Sequence, residues 1–203
     1  MHPSASYLFE TICVREGVPL HLDDHSARLN RTRRALFGVQ DAMDLNDYFR
    51  DHTLPPAPSS LSKLRLIYNV QGIVSFELHP YTPKPMDSLM LIEADVDYAY
   101  KYLDRSPLDQ LWQQIHPASP SDLLITTDSI LRDTTIANVA LRQAGIWYTP
   151  KTPLLPGTTR SRLIASGVLR VRDIHRDDLG RYDRLALLNA MIGFVEYPIS
   201  ILH

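Results

Sequence analysis

The chain of 203 residues is poor in three things: it has one cysteine, four lysines against seventeen arginines, and no long apolar run. A single thiol excludes an intramolecular disulfide framework and a cysteine-rich zinc site, in keeping with a reducing compartment. Cys13 lies in the apolar run Leu8 to Val14 and reads as a buried structural thiol. No stretch of about 18 apolar residues is present. The start MHPSASYLFE has neither the basic opening nor the apolar core of a signal peptide, so a cytoplasmic protein without a membrane partner is expected. A formal net charge of −2 gives no general attraction for nucleic acid. The scarcity of lysine narrows any imine chemistry, because arginine stays protonated whereas a lysine is tunable as nucleophile and base. Lys63, Lys84, Lys101 and Lys151 are the four candidates.

With 44% hydrophobic and 22% charged residues the composition is ordinary globular. Tyr7 to Val14 reads as a strand, Glu16-Gly17 as a turn and Pro19 to Leu22 as its short partner. A helix follows, with Asp23 or Asp24 as N-cap and Gly38 as C-cap, and Asp44 to His52 suits a second helix. Leu64 to Val70 and Ile73 to Leu78 form a hairpin, and Leu89 to Glu93 resumes as a strand. A lobe boundary near Asp95 to Ala99 divides an N-terminal α+β lobe, 1–97, from a C-terminal lobe, 98–203. In the second lobe Ser106 to Ile115 is helical, Leu123 to Thr127 and Ile136 to Leu141 are strands, and Thr159 to Ser166 is a short helix. Val168 to Val171 and Leu185 to Leu188 are strands. Elements mix without a regular βαβ alternation, which favours α+β over a doubly wound sheet.

Four constellations carry polar chemistry. Leu155-Pro156-Gly157-Thr158-Thr159-Arg160 is a glycine turn entering a helix, where N–H groups and hydroxyls converge on an anion, although threonine there is more often a plain N-cap. Arg132-Asp133-Thr134-Thr135-Ile136-Ala137-Asn138 puts an acid at a strand entrance, either to face a cationic ligand group or simply to form a turn. Leu188-Asn189-Ala190-Met191-Ile192-Gly193 is a small-residue turn after an apolar strand. His21-Leu22-Asp23-Asp24-His25 offers two imidazoles and two carboxylates, but its aspartates have a capping role and no third ligand cluster exists, so no metal is expected.

In order and spacing these pieces resemble the class IV aminotransferases, the pyridoxal-phosphate (PLP) enzymes of fold type IV. Phe9-Glu10-Thr11 with Gly17 resembles the family's opening hairpin, and His25-Ser26-Ala27-Arg28-Leu29 its His-x-x-Arg-Leu helix start. Lys101-Tyr102-Leu103-Asp104-Arg105 is similar to the Lys-x-x-x-Arg block of the aminodeoxychorismate lyase branch. Asp133 stands five residues before Asn138, as the family's acid and structural asparagine do. Leu155 to Arg160 is similar to the Leu-Pro-Gly-x-Thr-Arg phosphate block, and Asn189-Ala190-Met191 to the lyase branch's Asn-Ala-Leu turn. The likeness covers about residues 7 to 198. Asp133 departs from the usual glutamate, Ser106 stands where transaminase branches place a tyrosine, and both ends look shorter than usual.

The resemblance implies a two-lobed α+β fold like that of D-amino acid aminotransferase, with a small N-terminal lobe and a barrel-like C-terminal lobe. It also implies pyridoxal 5'-phosphate as cofactor, with Lys101 as the catalytic Schiff-base lysine. Arg28, Thr158, Thr159 and the Ala190 amide would hold the phosphate, Asp133 the pyridine nitrogen, and Thr11 and Arg105 the substrate; for the substrate carboxylates Arg65, Arg105 and Arg160 are candidates on chemistry alone, surface arginines being the ordinary alternative. The implied activity is a lyase releasing pyruvate from 4-amino-4-deoxychorismate to give 4-aminobenzoate, a folate-pathway reaction, in a homodimer. The alternatives are an aminotransferase for a branched-chain or D-amino acid and a PLP-binding homologue without catalysis. Metal hydrolysis at His21/His25 ranks last.

Overall fold

The structure, a computed structural model, describes residues 7–115, 121–197 and, as backbone, 200–202. The first six residues, weighed above for a leader, lie outside these. The chain divides into two compact units: residues 1–83 with 100–104, and 84–99 with 105–203. The sequence placed a single cut at 97/98. The observed partition differs because the strand Ser88–Glu93 belongs by pairing to the second sheet, and 100–104 returns to the first unit along the edge of its first strand.

The first unit is a four-stranded sheet of order β2-β1-β3-β4 with two helices. Its elements are β1 (Leu8–Arg15), β2 (Val18–Pro19), α1 (Leu22–Phe37), α2 (Leu45–Asp51), β3 (Leu61–Tyr68) and β4 (Ile73–Pro80). In β3 the period-2 alternation is complete: Ser62, Leu64, Leu66 and Tyr68 are buried and their neighbours half-buried. The inward set packs with Leu8, Ile12 and Val14 of β1 and with Leu22 and Leu29 of α1. Truncating one of these leucines to alanine costs about 2–5 kcal/mol.

Helix α1 starts earlier than the capping pattern suggested. Its N-cap is His21 in the left-handed region (φ 58), so Leu22 opens the helix instead of ending a strand. Asp23 and Asp24 fall in the first turn, where they complement the helix dipole. Gly38 is the C-cap, at φ 68.

The second unit is a branched, half-barrel sheet with path β10-β9-β8-β7-β6-β5-β13, and β11 joins β8 to β12. Its strands are β5 (Ser88–Glu93), β6 (Ser121–Thr127), β7 (Ile130–Thr134), β8 (Asn138–Gln143), β9 (Ile146–Pro150), β10 (Leu169–Arg172), β11 (Arg184–Asn189), β12 (Gly193–Tyr197) and β13 (Ser200–Leu202). Two helices, α3 (Ser106–Ile115) and α4 (Thr158–Ala165), and a 3-10 turn at Arg176–Arg181 complete it. The sequence expected no strand at β7, β9, β12 or β13 and began β8 at Ile136, two residues early.

Val139, Leu141, Leu185 and Leu187 enter the main core from one side of β8 and β11. Ala140, Ala186 and Leu188 face the other way, toward Leu163 and Ile164 of α4. The small side chains of Ala140 and Ala186 let α4 approach the sheet closely. Strand β7 meets β8 through a single pair, Asp133↔Asn138, and Asn138 is also opposite Leu188 of β11. The branch point of the sheet is therefore the position of the candidate acid.

Candidate active site

In the first unit, odd-numbered residues of β1 and β3 share the face turned away from α1. Thr11 is opposite Arg65 in the ladder. The segment carrying Lys101 runs beside β1, with Phe9 N donating to Lys101 O at 3.0 Å. The Lys101 Nζ lies 4.5 Å from the Phe9 ring centroid and the Arg65 guanidinium 4.9 Å from it, so two cations flank one aromatic ring. Arg65 Nε is buried and has no hydrogen-bond partner among the described residues.

On the other face, toward α1, sits Arg28. Glu10 is fully buried there among Leu8, Ile12 and Val14. Arg28 Nε donates to Glu10 Oε1 at 2.9 Å, Arg28 Nη2 donates to Glu10 Oε2, and His25 Nδ1 lies 2.6 Å from the same oxygen. Burial alone raises a carboxylate's pKa, but Arg28 and His25 outweigh it and hold Glu10 down at about 2. Glu10 is thus ionised, and His25 is its Nδ1 donor.

The second unit gathers Asp133, Thr158 and Thr159. Asp133 is buried, and both of its oxygens are engaged: Asn138 Nδ2 donates to Oδ1 at 2.8 Å and Leu155 N–H to Oδ2 at 3.0 Å. Burial pushes its pKa up to about 7, against the opposing pull of those donors and of the Arg160 charge. Asn138 Nδ2 also donates to Leu155 O at 2.8 Å, which ties the acid to the loop before α4.

Gly157 is demanded by this contact. Its φ of −69 suits any residue, but a Cβ there would stand 2.0 Å from Asn138 Oδ1. The glycine is needed for close approach, and the turn itself places no demand on it. Gly157, not a threonine, is also the N-cap of α4, and it offers no capping side chain. The first-turn N–H groups of Thr158, Thr159 and Arg160 therefore have no intrahelical acceptor, and the turn contains no acidic residue. Both threonines are buried. This donor set, with the positive end of the helix dipole, suits an anion such as a phosphate monoester.

Ala190 lies in the β11–β12 turn. Asn189 Oδ1 accepts the Met191 and Ile192 N–H groups at 2.9 and 3.0 Å, and Asn189 Nδ2 reaches Ile136 O at 3.4 Å. The turn is thereby linked to the β7–β8 loop that follows Asp133. Arg105 donates to Thr135 O in that loop at 2.9 Å and stands 3.8 Å from Asp109. Arg160 is engaged within its own unit: its Nε donates to Thr149 Oγ1 (3.2 Å) and its Nη2 to Pro150 O (2.6 Å), so it braces α4 against β9. Among the described residues no group of three or more His, Cys, Asp or Glu is arranged to hold a metal ion, and no helix is long and apolar enough to cross a membrane. Asp23 is occupied by Asn46 (2.6 Å) and His25 by Glu10.

Two further residues complete these clusters. Glu10 had a signal in the sequence, a lone acid in phase with the inward apolar residues of β1. Asp122 had none. It is buried at the start of β6, its Oδ1 accepts from Thr135 Oγ1 (2.6 Å), and burial raises its pKa.

The profile of the class IV aminotransferase family matches residues 7–197. A Haemophilus influenzae (strain ATCC 51907 / DSM 11121 / KW20 / Rd) protein, itself uncharacterized, is 31% identical over 188 residues, which is 92% of this chain and 98% of the relative. A crystal structure of a candidate 4-amino-4-deoxychorismate lyase from Haemophilus somnus 129pt superposes with TM-score 0.82 at 28% identity, covering 93% of this chain and 97% of that one. A hypothetical aminotransferase from Mycobacterium tuberculosis in its PLP-bound form shares the fold, with TM-score 0.74 at 17% identity over 99% of this chain and 85% of the other. The ordered blocks, the half-barrel sheet and the family match agree: the chain belongs to the class IV aminotransferase family.

Proposed function

We propose that the chain is a PLP-dependent lyase acting on 4-amino-4-deoxychorismate, releasing pyruvate and leaving 4-aminobenzoate. The observation that carries cofactor use is the second unit's cluster, where a buried carboxyl (Asp133) is tied through Asn138 and Leu155 to the uncapped, acid-free start of α4. A carboxyl suits a cationic ring nitrogen, and a bare helix start suits a phosphate. When bound, PLP supplies the electron sink for breaking a bond at the substrate's α-carbon.

The chain's own residues bind, orient and move protons. Lys101 is the attachment amine and the base that takes the proton from the α-carbon and delivers it to the departing enolpyruvyl group. Asp133, ionised beside the pyridine nitrogen, holds a proton on that nitrogen. Thr158 and Thr159, with Arg28 and the Ala190 amide, fix the phosphate. Thr11 and Arg105 meet the substrate. The family habit of pairing extends the proposal to a homodimer, twice the 23.1 kDa chain mass by light scattering.

The Lys101-x-x-x-Arg105 and Asn189-Ala190-Met191 blocks support lyase over transaminase, as does the description of the Haemophilus somnus structure. The second reading, an aminotransferase, is supported by the family and by the Mycobacterium tuberculosis neighbour. Incubation with PLP and aminodeoxychorismate separates them: 4-aminobenzoate formed without a keto acid supports the lyase. Turnover of an amino acid that depends strictly on a keto acid overturns it, and a yellow protein with neither activity overturns both.

A further inference from the structure

A buried acid of the second unit takes no part in the roles assigned so far. Asp122 stands at the start of β6, and its Oδ1 accepts the Leu123 N–H at 2.8 Å and the Thr135 hydroxyl at 2.6 Å. Its Oδ2 is buried without a hydrogen-bond partner among the described residues, a costly arrangement for a purely structural acid. Thr135 lies in the β7–β8 loop, two residues after Asp133, and is engaged on two sides. Its hydroxyl goes to Asp122, and its carbonyl oxygen accepts from Arg105 Nη2 at 2.9 Å. The neighbouring Thr134 stitches the loop to itself, its Oγ1 accepting the Ala137 N–H at 3.0 Å. Thr135 instead ties the loop outward, to β6 and to Arg105.

Arg105 is the arginine to which the proposed function gives a substrate carboxylate. It stands just before α3, its own carbonyl oxygen accepting the Asp109 N–H at 2.9 Å. The start of a helix disfavours a cation. Asp109, 3.8 Å from Arg105 Nε and largely exposed, offsets little of that in water. The Tyr98 ring flanks the guanidinium at 5.8 Å. The hydrogen bond to the Thr135 carbonyl sets the direction of the side chain, 26% of which stays exposed and open to an anion.

We propose that Asp122 is a positioning residue: by holding the Thr135 hydroxyl it fixes the β7–β8 loop, so that the Thr135 carbonyl keeps the Arg105 guanidinium in place for a substrate carboxylate. The inference rests on the reading of Arg105 as a substrate ligand and adds to it the residue through which Arg105 is set. An arginine held in one direction before binding has less side-chain freedom to lose when the carboxylate arrives. Substrate binding is tightened and the chemical step is left alone. The role depends on the acceptor and not on the charge: an asparagine amide oxygen keeps both bonds of Oδ1, and its nitrogen takes the place of the unpartnered Oδ2.

The test is a double-mutant cycle on the PLP-loaded protein with two readouts. One is the KM for 4-amino-4-deoxychorismate; the other, independent of turnover, is the Kd of chorismate, which carries the same two carboxylates with a hydroxyl in place of the amine. Thr135→Val keeps the side-chain shape and removes the hydroxyl. It is expected to raise both constants about 3- to 10-fold, the scale of one net hydrogen bond, with kcat and PLP affinity within about twofold of wild type. Asp122→Ala is expected to do the same, and Asp122→Asn to stay within about twofold throughout; if Asp122→Ala does not fold, Thr135→Val and Asp122→Asn carry the comparison. Arg105→Ala is expected to raise both constants at least about 10-fold. In that background Thr135→Val is then expected to add less than about twofold, because its route of action is gone. Losses that multiply in the double variant, or that appear in PLP affinity in step with chorismate, overturn the positioning role. An Arg105→Ala protein with wild-type constants overturns instead the reading of Arg105 as substrate ligand, and a wild-type protein that binds neither compound overturns the proposed substrate.

Discussion

Replacing Gly157 with alanine tests the link between the acid and the anion site. The backbone at Gly157 accepts alanine, so the whole effect comes from a methyl group placed 2.0 Å from Asn138 Oδ1, about an ångström inside any tolerable contact. Asn138 must move, and with it go the 2.8 Å bonds from Nδ2 to Asp133 Oδ1 and to Leu155 O. The neutral bond is worth about 1 kcal/mol, and the bond to an ionised carboxylate about 1.5–3 kcal/mol, which predicts a loss of about 2–4 kcal/mol at pH 8. At pH 5 Asp133, with its pKa near 7, is protonated, and the loss falls to about 1–2 kcal/mol. Urea unfolding of the cofactor-free protein at both pH values reads this directly. PLP affinity should drop in parallel, since Asn138 and Leu155 connect Asp133 to the start of α4. Gly180→Ala, whose methyl meets nothing within 4 Å, is the control and should stay within about 0.5 kcal/mol. A Gly157→Ala protein with wild-type stability and PLP affinity would refute the close-approach argument.

Glu10 and Asp133, two of the three acids buried among the described residues, predict opposite slopes of stability with pH. Glu10, lowered from 4.5 to about 2, contributes stability that is present above pH 4.5 and is lost as pH falls toward 2, on the order of 3 kcal/mol. Asp133, raised from 3.8 to about 7, binds its proton more tightly in the folded state, so cofactor-free stability declines as pH rises through about 4 to 7, by up to about 4 kcal/mol. Urea titrations between pH 4.5 and 7 should show a decline and no rise from Glu10; Asp122, whose pKa burial also raises, adds to it in the same direction, and saturating PLP should reduce the Asp133 part by giving it a cationic partner. Arg160→Ala should cost about 2–4 kcal/mol in urea through the lost bonds to Thr149 and Pro150, and should leave the KM for the amino substrate in the surviving folded enzyme within about twofold. A large rise in KM at unchanged stability would return Arg160 to substrate binding.

Much of the fold was legible because the family blocks fall at element ends. The hairpin, α1 with its Gly38 cap, α3 and α4 were readable from periodicity and glycine punctuation. The missed strands are short: β7, β9 and β12 are hairpin partners of β6, β8 and β11, and β13 is a three-residue strand that pairs with the distant β5. β7 and β9 are five residues each, and β7 bridges two sheet segments through one residue pair, which leaves no period to detect. Asp133 was legible as a residue but its environment was not: an Asp at a strand entrance reads as a turn former, whereas its burial is created by Asn138 and by a loop 22 residues away. For Gly157 the sequence suggested conformational freedom, and the structure shows a steric demand made by a side chain from another strand. The α1 N-cap shifted because a histidine in the left-handed region, not an aspartate, makes the corner.

The central claim is that Lys101 carries the cofactor, and borohydride reduction of the PLP-loaded protein tests it most directly. Reduction makes the C=N bond between cofactor and lysine permanent, and peptide mapping by mass spectrometry then locates it. A single reduced pyridoxyl adduct on Lys101, absent from a Lys101→Arg protein, is the predicted result. An adduct on Lys63, Lys84 or Lys151, or none on a protein that binds PLP, would contradict the account.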